Sequence, residues 1–150
     1  MEVGVTEFGR AIALVACASS KQEHPAPAAD LYVSDLFRKS RSYAERHAAA
    51  WFVLSAKHGL IEPTTEIEPY EMTLNTMKAA ERRAWSAGVL RQLERVVKRG
   101  DTVIMLAGAR YREGIVPGLE ELGAKVEVPM VGLRIGEQLA WLARASRDEP

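Results

Sequence analysis

The 150-residue chain holds a single cysteine, Cys17, so no disulfide can form within it and a metal site built on several thiolates is excluded. Its three histidines, His24, His47 and His58, show no ligand spacing such as HExxH. Charge of one sign is lacking too. Twenty lysines and arginines balance twenty aspartates and glutamates, so no bulk positive field is available to hold a long nucleic-acid tract, although a local basic patch is not excluded. Long hydrophobic runs are absent: the longest early one, Ala11 to Ala18, falls far short of the roughly 20 residues of a membrane span. No signal peptide is evident, and the expectation is a cytoplasmic protein with no membrane partner. Neither a Walker motif nor GxGxxG follows the first apolar run, which removes the common phosphate and dinucleotide fingerprints.

What is present is an alternation of apolar runs and helical spacing. AIALVA, Ala11 to Ala16, reads as a first buried strand after a loose lead-in over Met1 to Arg10. Helical periodicity follows from Ser34, a candidate N-cap, to His47. WFVLS, Trp51 to Ser55, is a second strand, followed by a long polar loop. Asn75 and Thr76 are cap candidates for a helix over Met77 to Arg99, stopped by Gly100 and Asp101. TVIML, Thr102 to Leu106, is a third strand, and a helix over Tyr111 to Leu122 is expected to be distorted or split at Pro117 and Gly118. KVEV, Lys125 to Val128, reads as a fourth strand at a sheet edge, and a last helix spans about Gly136 to Ala145. Strand and helix alternate with no linker or repeat, so one domain is expected, with a core over about residues 11–145. The class is α/β: a three-layer α/β/α arrangement around a four-stranded parallel sheet in the order 2-1-3-4.

In such a sheet the loops after strands one, two and three meet at one mouth, where ligands bind. Cys17, Ser19, Ser20 and Lys21 follow strand one and offer hydroxyls, amides and a cation to a phosphate or the polar edge of a base. Ser55, Lys57 and His58 follow strand two, and His58 titrates near neutrality and suits acid–base work. Glu71, flanked by Tyr70, is the preferred water-activating carboxylate of the acidic loop. Arg110 and Tyr111, at the turn after strand three, suit stacking or phosphate pairing. Each set also has an ordinary reading as capped turns, packing or solvated charge, and so do the arginine-rich faces of the first two helices.

Five stretches carry a resemblance: CASSK at Cys17 to Lys21, ADLYVSDLF at Ala29 to Phe37, WFVLSAKHGLIEP at Trp51 to Pro63, PYEMTL at Pro69 to Leu74, and PMVGLRIGEQLAWL at Pro129 to Leu142. In this order they resemble an uncharacterised bacterial and phage domain family. That family is loosely similar to the YaaA peroxide-stress proteins and to a domain appended to archaeosine tRNA-guanine transglycosylases. The wider group resembles the uracil-DNA glycosylase fold. The resemblance implies a pocket for a nucleobase or nucleotide formed by Cys17, Ser19, Lys21, Tyr32, Ser55, Lys57, His58, Tyr70 and Tyr111. Glu71 stands where the family pattern prefers aspartate, which lengthens the reach by one methylene.

The leading expectation is an N-glycosidase releasing a nucleobase, modified or not, from DNA. Glu71 and His58 are its catalytic pair, a tyrosine stacks on a flipped base, and neither metal nor cofactor is needed. Two alternatives stand beside it: a nucleotide or nucleoside hydrolase or deoxyribosyltransferase, and a module that binds nucleobase or nucleic acid without turnover.

Overall fold

The computed structural model describes residues 9–147, so most of the expected lead-in over Met1 to Arg10 lies outside the described residues. The first strand, β1 (Ala11–Ala16), is made of small and branched apolar residues that pack on both faces, and Ile12, Ala13, Leu14 and Val15 are at most 1% exposed. Because successive side chains leave a strand on opposite faces, these four divide between two cores. Ala13 and Val15 join Phe37, Ala44 and Leu142 on one side of the sheet; Ile12 and Leu14 join Val89, Leu93 and Leu119 on the other. Helices therefore cover both faces, as the apolar runs imply.

β3 (Ala50–Ser55) and β6 (Thr102–Leu106) flank β1 in parallel, with Leu14 opposite Phe52 on one side and Met105 on the other. β7 (Lys125–Glu127) extends the sheet in parallel beyond β6. The sheet has five strands, in the order β4-β3-β1-β6-β7, and this corrects the expected count of four. The added edge strand is β4 (Gly59–Ile61), antiparallel to β3, with Ser55 paired to Gly59. Its cause is local. The Ser55 hydroxyl accepts the backbone N–H groups of Lys57 and His58 at 3.2 and 3.0 Å, and Gly59 takes φ +75°, so the chain reverses at once instead of entering a long loop. A second, two-stranded ribbon joins β2 (Ala26–Pro27) to β5 (Glu66–Ile67), tying the loop after β1 to the segment after β4.

α1 (Ala28–Leu31) is a single buried turn, and α2 (Asp35–His47) begins where expected, with the Ser34 hydroxyl accepting from Phe37 N–H at 3.1 Å. The expected helix over Met77 to Arg99 is shorter and differently started. A 3-10 turn at Leu74–Thr76 is capped by Thr73, and α3 (Ala79–Leu93) begins after Glu81 accepts the Lys78 N–H at 2.9 Å. Asp101 does not stop that helix. It is 3% exposed, and its carboxylate accepts the N–H groups of Arg10 and Lys98, holding the entries of β1 and β6 together. The helix expected after β6 is split into α4 (Ala109–Arg112) and α5 (Val116–Glu121), because Pro117 is accommodated only in the first turn of a helix. α6 (Ile135–Arg147) closes against α2. No helix among the described residues is long and apolar enough to cross a membrane.

Candidate functional site

The chain leaves β1 for β3 through α2 on one face and leaves β3 for β6 through α3 on the other. The connections therefore part company between β1 and β6, where a parallel sheet opens a crevice at its carboxyl edge. A cleft of about 430 Å³ lies there. Leu36, Phe37, Met105, Leu106, Val128 and Met130 supply its apolar lining, and Asn75, Arg110, Arg112 and Gln138 are its larger polar groups. Among the described residues no aspartate, glutamate or histidine lines it. On its floor the Cys17 sulfur and the Tyr111 hydroxyl lie 3.2 Å apart. Tyr111 is held from behind by Trp85, whose ring meets it edge-on at 5.5 Å and whose indole N–H donates to the Ser55 carbonyl at 2.9 Å.

Beside the cleft, under the loops after β1 and β3, is a buried row of hydroxyls. Tyr32 and Tyr70 are 2.6 Å apart, and Tyr70 and Ser55 are 2.8 Å apart. Ser55 already accepts two backbone N–H groups, which occupy both lone pairs of its oxygen, so its own proton is donated to Tyr70. Lys21 covers this row, its ammonium 4.5 Å from the Tyr70 ring centroid and 5.7 Å from that of Tyr32. Burial pushes the Tyr32 phenol up to about 12, with smaller opposing and assisting contributions from Tyr70 and Cys17. Tyr70 and Tyr111 are raised as well, first by burial and then by the nearby Cys17 sulfur. All three phenols are therefore neutral hydrogen-bonding groups at ordinary pH.

This has a pH consequence. A free phenol ionises near pH 10, whereas folded Tyr32 keeps its proton up to about 12, so between those values the folded chain binds more protons than the unfolded one. The Tyr32 contribution to stability is fully present below about pH 10 and is lost as pH rises through about 12. Urea unfolding at about pH 9 and about pH 11 should show the decline, and Tyr32→Phe should make it shallower. An unchanged slope in that variant would mean that Tyr32 titrates like a free phenol.

The residues singled out from the sequence separate into three groups. Cys17, Arg110 and Tyr111 line the cleft. Tyr32, Ser55, Tyr70 and Lys21 form the adjacent hydroxyl row and its cover. The remaining ones are at the surface. Ser19 and Ser20 are exposed, with their carbonyls accepting from Lys21 Nζ and Val33 N–H. Lys57 and His58 are exposed on the hairpin turn, and the His58 ring meets Tyr70 edge-on at 5.6 Å. Burial, and then the Lys57 charge, lower the His58 pKa. Glu71 is exposed, and no hydrogen bond or ion pair joins it to His58. Both nevertheless adjoin Tyr70, His58 through space and Glu71 along the chain. Among the described residues no set of three or more His, Cys, Asp or Glu side chains is gathered as metal ligands.

Sequence reading missed Asn75, Arg112 and Gln138 as cleft residues. Asn75 reads as a cap, and Gln138 lies within the GEQLAWL stretch, where a helical glutamine looks like any surface residue. Arg112 had a usable signal, since it follows Arg110 and Tyr111 at the same strand-to-helix turn.

The model of a family of unknown function, DUF6884, matches residues 12–144. The chain belongs to that family. The DUF6884 match begins inside β1 and ends inside α6, so it takes in every strand of the five-stranded sheet and the whole cleft lining. No curated protein and no solved structure matches the chain.

Proposed function

We propose that the protein is an N-glycosidase that recognises a nucleobase and releases it from DNA or from a nucleotide. The observation that carries this reading is the make-up of the cleft: apolar walls that suit the faces of a planar ring, with the Asn75 amide and the Oε1 of Gln138, whose Nε2 donates to the Leu133 carbonyl at 2.9 Å, at hand for its polar edge. Its volume falls within the range of small-ligand pockets, about 300–1,000 Å³. The segment from Tyr70 to Asn75 links the two parts of the site. Tyr70 anchors one end in the hydroxyl row, Asn75 lines the cleft at the other, and Glu71 is carried between them, facing solvent.

In the reaction the bond from the sugar C1′ to the base nitrogen breaks, and its electron pair leaves with the base. Water adds to C1′ as positive charge develops there. Glu71 orients that water and takes its proton, and His58, which adjoins Tyr70, donates to the departing base. The motif resemblance to proteins of the uracil-DNA glycosylase fold supports the same chemistry by analogy. A second reading, binding without turnover, is favoured by the cleft lining itself, which among the described residues holds no carboxylate and no imidazole.

Base release decides between them. The protein is incubated with DNA carrying normal and modified bases, and separately with free nucleotides, and liberated base and abasic sites are sought by mass spectrometry. Liberated base is the expected result. Its absence, from folded protein that still binds a nucleobase ligand, would overturn the glycosidase and establish the binding module.

A further inference from the structure

The charge in the cleft is lopsided. Arg110 and Arg112 are its ionised lining residues, and no acid among the described residues lines it to offset them. Arg112 is half-buried, and the one hydrogen bond of its guanidinium among the described residues is a long one, 3.4 Å from Nη1 to the Ala107 carbonyl. A guanidinium has five N–H donors, so most of its capacity is unspent. Arg110 has only a loose partner: its Nη1 lies 3.9 Å from Glu113 Oε1, and the same oxygen is 3.1 Å from Arg82 Nε. Arg82 is thus the nearer partner of Glu113.

Two guanidinium groups on one cleft, Arg112 half-buried and Arg110 exposed with only a loose partner, are matched by an anion carrying about two negative charges and several acceptor oxygens. A phosphate monoester is such a group, with a charge of about −1.5 to −2 at neutral pH. We infer that the ligand of the cleft is a nucleoside monophosphate whose phosphate is held by Arg110 and Arg112, in preference to a nucleoside or a free base. This rests on the reading of the cleft as a nucleobase site. It narrows that reading, because a cleft of about 430 Å³ is of the size that takes one nucleotide. The neutral whole-chain charge fits the same conclusion: attraction is confined to two side chains and is not spread over a face.

The test is calorimetric titration of the full chain with AMP, GMP, CMP, UMP and dTMP, with the corresponding nucleosides, and with ribose 5-phosphate. At least one monophosphate is expected to bind about tenfold or more tightly than its nucleoside, since charge-assisted pairs are the stronger hydrogen bonds. In Arg110→Gln/Arg112→Gln that preference should vanish while nucleoside affinity is retained. Arg112→Lys, which keeps the charge, should keep part of the preference, and thermal unfolding verifies that each variant is folded. A nucleoside that binds as tightly as its monophosphate would overturn the phosphate inference and leave the nucleobase reading standing. Ribose 5-phosphate that matches the nucleotides would do the reverse. Binding only to single-stranded DNA, with a steep loss as salt rises, would overturn the mononucleotide and move the phosphate into a strand. No binding by any probe would overturn both.

Discussion

Leu14→Ala is expected to lower the free energy of unfolding by about 2–5 kcal/mol, read from urea denaturation. Leu14 is fully buried on the central strand, in register with Phe52 and Met105, and it belongs to the core that includes Val89, Leu93, Ile115 and Leu119. Truncation removes three carbons and leaves a void that rigid backbones on both sides cannot close. The penalty is therefore the lost transfer term plus the cavity term. Ile135 is the control: it is 65% exposed, and Ile135→Ala should change stability by no more than about 0.5 kcal/mol. A loss at Leu14 of under about 1 kcal/mol would show that this face of the sheet is loosely packed.

Glu71→Gln should separate activity from stability. Glu71 is exposed and has no hydrogen-bond or ion-pair partner among the described residues, so an isosteric amide in its place should leave the unfolding free energy within about 0.5 kcal/mol of the parent. If Glu71 orients the attacking water, the same change removes the group that takes the proton, and base release should fall by about 10²–10⁴-fold. Binding should persist, because Glu71 does not line the cleft. Parallel measurement of release and nucleotide affinity makes the outcome sharp. Unchanged release would remove Glu71 from the mechanism, and loss of affinity together with release would make it a binding group.

The parts of the fold legible in the sequence were those whose burial imposes a pattern over several residues. β1, β3 and β6 are covered on both faces and therefore appear as unbroken apolar runs. α2 announces itself through Ser34 and its 3.6-residue spacing. β4 was not legible because three residues, Gly-Leu-Ile, carry too little pattern, and its turn is closed by a serine hydroxyl and a glycine, without the Asn-Gly or Asp-Gly pair that marks short hairpins. β2 and β5, two residues each, exist only because they meet.

The site divides along the same line. Cys17 was recoverable because it immediately follows β1, and Arg110 and Tyr111 because they lie in the helical turn just after β6, the two strands whose ends define the crevice. Asn75 and Gln138 reach the cleft from a 3-10 turn and a helix, and their contribution is fixed by how those elements dock, which a local pattern does not encode. His58 and Glu71 were singled out for their chemistry, and the structure adds that Tyr70, whose hydroxyl is locked between Tyr32 and Ser55, is what they share.

The position of β1 has a consequence for biosynthesis. Of the described strands of this sheet, the one made first is the one in the middle, with Ile12 paired to Ala50 on one side and to Val103 on the other. While the polypeptide emerges from the ribosome, β3 can cover one side as soon as α2 has formed, but the other side waits until Thr102–Leu106 has been synthesised. During that interval an apolar edge, Ile12 to Val15, is open to any neighbouring copy, the situation in which nascent β proteins aggregate.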